Sequence, residues 1–152
     1  MDPPCYYYEE FHVTQGNLDP SIDCTYVLIM HGSRRKEQIY KNIVKSNITT
    51  NVVFQYNYGY KKCDKTLRKN GPNYDLEHAL KTIFKQALDK GYKRILVVED
   101  DCQFDERIQS KEVINDLNTF LNEKNPKVYN LGPVICVSSP IDILLGKKHQ
   151  NV

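Results

Sequence analysis

No tryptophan occurs among the 152 residues, and alanine is scarce beside abundant Asn, Lys, Ile and Tyr. AT-rich coding produces such a bias, which says nothing of chemistry. An excess of one charge is missing too. The 21 basic and 19 acidic residues leave a net charge of +2, without the basic surplus or stripe of a nucleic-acid-binding protein. There is no CxxC or CxxxxC pair. Cys5, Cys24, Cys63, Cys102 and Cys136 are far apart and odd in number, which argues against a structural zinc site and fits single thiols in a reducing compartment. No apolar run reaches membrane-spanning length. The opening "MDPPCYYYEEFH" is acidic and aromatic, unlike a signal peptide. These absences together predict a cytoplasmic chain without a membrane span.

What remains is an ordinary globular mixture, 40% hydrophobic and 11% aromatic, with length for one core and hence one domain over residues 1–152. Residues 1–23, broken by Pro3, Pro4 and Pro20, read as an irregular lead-in. Residues 24–140 read as the core and 141–152 as a tail. "TYVLIM" (Thr25–Met30), "NVVFQY" (Asn51–Tyr56) and "KRILVVE" (Lys93–Glu99) are apolar runs of strand length. Between them lie a helical pattern over Arg35–Ser46 and a clearer one marked by Leu76, Ala79, Leu80, Ile83, Phe84, Ala87 and Leu88. For the second helix Asp75 is the predicted N-cap and Gly91 the C′ residue. A third helix is expected from about Lys111 to Leu121, and one or two strands over Lys127–Val137. Strands alternating with helices predict an α/β fold with a mainly parallel sheet covered on both faces.

The sharpest feature is "RILVVEDDCQFDE" (Arg94–Glu106), a buried run that ends on Glu99, Asp100 and Asp101. Adjacent like charges repel. Either they form a solvated turn, or a cation is held there. Ligands of open α/β sheets bind beyond the carboxyl ends of the strands, where His31-Gly32-Ser33-Arg34 also lies after the first strand. Carboxylates there suit Mg²⁺ or Mn²⁺ shared with a phosphate. Arg34 and Arg35 suit forked phosphate contacts, or else form the basic first turn of a helix. Tyr58, Tyr60, Lys61 and Lys62 can frame a ligand or form a solvated basic loop. Cys102, beside the acids, has no partner base and takes no catalytic role.

Three resemblances meet here. "ILVVEDD" resembles the opening strand of a receiver domain, but 93 residues precede Arg94 and 51 follow Asp101, the wrong position for that family. "LIMHGSRR" resembles the opening of small tetrapyrrole chelatases, whose later histidine is replaced here by carboxylates. "NYDLEHALKTIFKQALDKGYKRILVVEDDCQFDE" is similar to the core of glycosyltransferase family 25, and most of all to glycosyltransferase-like proteins of giant DNA viruses. Segments like Tyr56–Cys63, Val98–Asp105 and "VYNLGPV" (Val128–Val134) extend the likeness from about Thr25 to Pro140.

The resemblance implies a GT-A nucleotide-binding sandwich and transfer of a sugar from a nucleotide-sugar, most readily a UDP-sugar, to a hydroxyl of a glycan or protein acceptor. It implies a host-cell or virion location if the chain is viral. It makes Glu99 and Asp101 metal ligands for Mn²⁺ or Mg²⁺, and it makes His31, Gly32, Ser33, Arg34, Arg35, Tyr60, Lys61, His78 and Asp100 donor-binding residues. The family's acceptor half and base normally follow the "VYNLGPV" segment, where this chain has only "PIDILLGKKHQNV". The expectation is therefore a truncated member with its catalytic base unknown. Asp142 and His149 are the titratable candidates for that base. The alternative is a non-catalytic nucleotide-sugar-binding or interaction module of the same fold.

Overall fold

The continuous apolar runs become strands, and the periodic segments between them become helices. The structure, a computed structural model, describes residues 4–128. Its elements are β1 (Tyr6–His12), β2 (Cys24–Met30), α1 (Lys36–Ser46), β3 (Asn51–Asn57), α2 (Pro72–Asp89), β4 (Ile95–Glu99), a 3₁₀ turn (Glu106–Gln109) and α3 (Lys111–Lys124). Contacts divide the chain into two compact units, one ending at Gln103 and one beginning at Phe104, where the sequence predicted one domain. No helix among the described residues is long and apolar enough to cross a membrane.

The first unit holds a four-stranded sheet in the order β1-β3-β2-β4. β2 pairs in parallel with β3 (Thr25 opposite Val52) and with β4 (Leu28 opposite Glu99). β1 pairs with β3 antiparallel, Tyr6 opposite Asn57. The fold is thus α/β with a mixed sheet. Apart from Met30, every residue of β2 is buried, which explains a run without alternation.

β1 corrects the irregular lead-in expected over residues 1–23. It is an edge strand with aromatic residues on both faces, so its sequence shows no clean alternation. Tyr6 and Tyr8 join the core of Cys24, Tyr26, Leu28 and Val53 beneath α2. Phe11 turns the other way, its ring centre 5.0 Å from that of Phe54 and 5.2 Å from that of Tyr40 on α1. α1 and α2 therefore cover opposite faces.

α2 begins earlier than the sequence indicates. Its N-cap is Gly71, followed by Pro72, a residue suited to the first helical position because its missing N–H has no helical partner there. Asp75 is not the cap. It lies in the first turn, its N–H donating to the Gly71 carbonyl at 3.0 Å. Gly91, at φ +77°, ends the helix as predicted. Only part of the predicted stripe faces the sheet: Ala79, Ile83 and Ala87 are buried, while Phe84 and Leu88 are 49% and 74% exposed. Burial of Ile83 alone contributes about 1.5–3 kcal/mol.

In the second unit α3 extends the predicted helix to Lys124 and stops at Asn125, which is left-handed at φ 43°. Ile108, Leu117 and Leu121 are buried. The strand expected over Lys127–Val137 lies almost wholly outside the described residues.

Candidate functional site

Parallel strands send their carboxyl ends to one edge of a sheet. β2, β3 and β4 do so here, and a cleft of about 490 Å³ opens at that edge, a size suited to a small organic ligand. The connections from β2 lead to β3 on one side, while the chain reaches β4 on the other, so the cleft sits where the strand order reverses. Met30 and His31 reach it from β2, Asn57 from β3, and Glu99 and Asp100 from β4. Tyr58 to Lys62 form one wall, and the first turns of α2 form another through Pro72, Asn73, Asp75 and Leu76.

The loop after β2 meets the acidic turn after β4. Ser33 Oγ donates to Asp100 Oδ2 at 2.7 Å, and Arg35 pairs with Asp100 Oδ1 at 3.2 Å. Ser33 Oγ also accepts the Arg35 N–H at 3.2 Å. Gly32 turns the chain at φ +75°, a conformation that side chains with a Cβ rarely adopt. One of the three adjacent acids is thus neutralised from within, which lessens the repulsion that the sequence leaves open. Asn42 on α1 donates to the Cys102 carbonyl at 3.2 Å, tying the acidic turn to that helix. Burial, then the nearby Asp101, pushes the Cys102 thiol up to about 11, which leaves it protonated and a poor nucleophile.

Aromatic rings build the wall beside His31. Its ring lies 4.4 Å from Tyr58 by centroids, and its Nδ1 shares a 2.9 Å hydrogen bond with Tyr7 OH. Tyr7 in turn stacks on Tyr56 at 4.5 Å. Two flat groups at the cleft surface, His31 and Tyr58, are so fixed by rings behind them.

Where Asn57 and Asp75 line the cleft, a buried ionic group has no motif in the sequence. Lys65 Nζ is 2.5 Å from Asp75 Oδ1 and 2.5 Å from Asn57 Oδ1, and 4.5 Å from the centre of the Tyr6 ring. Asn57 Nδ2 donates to Asp75 Oδ2 at 3.0 Å, and Asn57 Oδ1 accepts the Gly59 N–H at 2.7 Å. The signal available was Asp75 in a first helical turn, read as a cap.

Of the predicted donor-binding residues, His31, Tyr60, Lys61 and Asp100 line the cleft. Gly32, Ser33 and Arg35 shape its rim without lining it, and Arg34 is exposed. His78 is elsewhere: its ring stacks on Tyr6 at 5.6 Å, and Nδ1 shares a 2.8 Å hydrogen bond with Tyr6 OH. Burial, then Lys65, lowers its pKa. Of the predicted metal ligands, Glu99 lines the cleft and Asp101 is exposed outside the lining. Among the described residues no three His, Cys, Asp or Glu side chains are gathered so as to hold a metal ion by themselves. Asp142 and His149 lie outside the described residues.

The cysteines also differ from expectation. Cys5 and Cys63 form a disulfide across 58 positions, where single thiols were predicted. Cys24 is a buried thiol, raised to about 12 chiefly by desolvation.

Compared with known proteins, the chain has no significant match to any family model, curated protein or solved structure.

Proposed function

We propose that the cleft binds a nucleoside-diphosphate sugar, and that the protein is a metal-dependent glycosyltransferase of the GT-A type. One observation carries the reading: the loop after β2 and the acidic turn after β4 are joined through Asp100 at the mouth of a 490 Å³ cleft. The base would lie against the fixed rings of His31 and Tyr58. The diphosphate would meet Lys61 and Lys62 from one wall and Arg35 from the rim. Charge builds on a departing diphosphate as the bond to the anomeric carbon breaks, and cationic groups already in place stabilise it.

Of the two carboxylates expected to bind Mn²⁺ or Mg²⁺, Glu99 lines the cleft and Asp101 lies beside it, so the ion would arrive with the diphosphate. Among the described residues the side chains form no closed cage, and Mg²⁺ is commonly held by one or two carboxylates plus phosphate oxygens and water. Glu99 and Asp101 would hold it, with Asp100 oriented by Ser33 and Arg35. When bound, the ion supplies further neutralisation of the leaving diphosphate.

A second reading is binding of the nucleotide-sugar without efficient transfer. It is favoured by Asp75, a cleft carboxylate whose two oxygens are engaged by Lys65 and Asn57, so that it is a poor base for an acceptor hydroxyl. A thermal-shift panel of nucleotide-sugars with and without Mn²⁺, followed by measurement of released nucleoside diphosphate, tests both. Metal-dependent stabilisation with release upholds transfer. Stabilisation without release upholds binding alone, and no stabilisation overturns both.

A further inference from the structure

The wall formed by Tyr58–Lys62 belongs to a connection from Asn57 to Pro72 that has no helix or strand of its own. Such long loops need fixing if they are to present a surface. Two anchors fix this one. At its start and middle, Asn57 and Lys65 are joined to Asp75 in the buried ionic group, and Lys65 is 1% exposed. Between those points, Tyr58–Asp64 is held from outside by Cys5. The Cys5 carbonyl accepts the Tyr58 N–H at 3.1 Å, and its sulfur is bonded to Cys63. The Gly59 carbonyl closes a turn by accepting from the Lys62 and Cys63 N–H groups at 3.1 and 3.0 Å. The cleft residues Tyr60, Lys61 and Lys62 stand on that turn.

We propose that the Cys5–Cys63 disulfide is a redox staple on the cleft wall: its reduction loosens Tyr58–Asp64 and weakens binding of a nucleoside diphosphate. The proposal rests on the nucleotide reading of the cleft. The chemistry needs a dithiol or two monothiols. One reductant thiolate attacks a cystine sulfur, the Cys5–Cys63 bond breaks, and a mixed disulfide forms with the first sulfur. A second reductant thiolate then attacks the reductant's own sulfur. The products are two cysteine thiols and the oxidised reductant, with two electrons and two protons transferred to the protein. The effect is local because the cross-link is not what holds the sheet. β1 keeps its ladder to β3, and Lys65 keeps Asp75. What is lost is the constraint on a short segment bearing three cleft side chains, whose ordering would then be required at each binding event.

The test compares the full chain oxidised and after treatment with dithiothreitol, by amide hydrogen exchange and by calorimetric titration of uridine diphosphate with Mg²⁺. Reduction is expected to speed exchange of the Tyr58, Lys62 and Cys63 amides by about tenfold or more beyond any change in α2, which reports the cross-link's constraint on the unfolded chain. The dissociation constant is expected to rise by about fivefold or more. A Cys5→Ser/Cys63→Ser double variant should show both effects without reductant and no response to it. Equal exchange in the two states overturns the staple, and so does equal affinity despite faster exchange. Loss of protection in α2 as large as that in Tyr58–Asp64 overturns it as well, since the cross-link would then act only on the whole unit. Faster local exchange with no nucleotide binding in either state upholds the loosening and overturns the nucleotide reading instead.

Discussion

The ammonium of Lys65 and the carboxylate of Asp75 form an ion pair at 2.5 Å with 1% and 8% of their side chains exposed. A pair so buried costs desolvation that its attraction and hydrogen bonds must offset, and removing one partner strands the other. Lys65→Met is therefore expected to destabilise the protein by about 3–5 kcal/mol. Lys65→Met with Asp75→Leu should recover most of that. Urea unfolding of the three proteins measures it, and a double variant no more stable than the single would refute the stranded-charge account.

Gly59 sits at φ +79°, and a Cβ there would come within 2.9 Å of the Met30 side-chain end. The methionine can move; the backbone conformation cannot be relieved so easily. Gly59→Ala is expected to cost about 1–2 kcal/mol. A loss near zero in chemical denaturation would mean that the turn relaxes.

Tyr58 lines the cleft beside His31, their ring centres 4.4 Å apart. Tyr58→Ala should weaken uridine diphosphate binding by about 1–3 kcal/mol, the range for stacking a base on an aromatic ring, whereas Tyr58→Phe should bind almost as the parent does. Equal affinity in all three would remove the base from this wall.

Asp101→Ala is expected to abolish the Mn²⁺-dependent part of stabilisation by uridine diphosphate. The part owed to Lys61, Lys62 and Arg35 should persist in the absence of metal. Thermal shifts at fixed nucleotide with graded Mn²⁺ separate the two contributions, and an unaltered metal response would take Asp101 out of the cation site.

The lowered pKa of His78 gives a pH dependence. Burial and Lys65, with Lys81 adding to it, oppose its protonation, while Asp75 favours it. The unfolded chain takes up the proton near the ordinary value of 6.5, so below that pH it binds more protons than the folded protein. This contribution to stability is present above about pH 6.5 and is lost as pH falls through the lower folded value. His78→Gln should flatten the fall in melting temperature between about pH 7 and pH 5 relative to the parent. Parallel curves would assign the slope to other groups.

The parts of the fold visible in the sequence were those in which one physical requirement dominates. β2 and β3 are apolar runs because nearly every residue in them is buried, whereas β4, expected as a buried strand, is only half-buried along Ile95–Val98, and α2 has unbroken helical spacing. Their shared direction then predicts that His31–Arg35 and Glu99–Asp101 emerge on one edge, and Ser33 and Arg35 do reach Asp100. β1 was hidden because "YYYEEFH" carries large rings on both faces and two acids at an edge. Lys65 was unreadable for another reason. A lysine in a polar loop is ordinarily solvated, and only Asp75, Asn57 and the Tyr6 ring, brought together by tertiary packing, make it a buried residue. Cys5 and Cys63 share no spacing motif, so their pairing follows from the fold. His78 matched a family pattern, but Tyr6 claims its ring.

The antiparallel ladder of β1 has a consequence for how the chain is made. Tyr6–His12 leaves the ribosome ahead of Asn51–Asn57, the segment that will become its hydrogen-bonded neighbour. At about 5–20 residues per second, that leaves a nascent aromatic segment without its partner for roughly 2–9 s. Glu9 and Glu10 lie in the middle of it. Charges at such positions discourage pairing with other unfinished chains. In the finished fold Glu9 accepts from Tyr56 OH at 2.8 Å and pairs with Lys36, while Glu10 pairs with Lys90. The same two acids, charges in the nascent segment, thus become its ties to β3, to the start of α1 and to the end of α2.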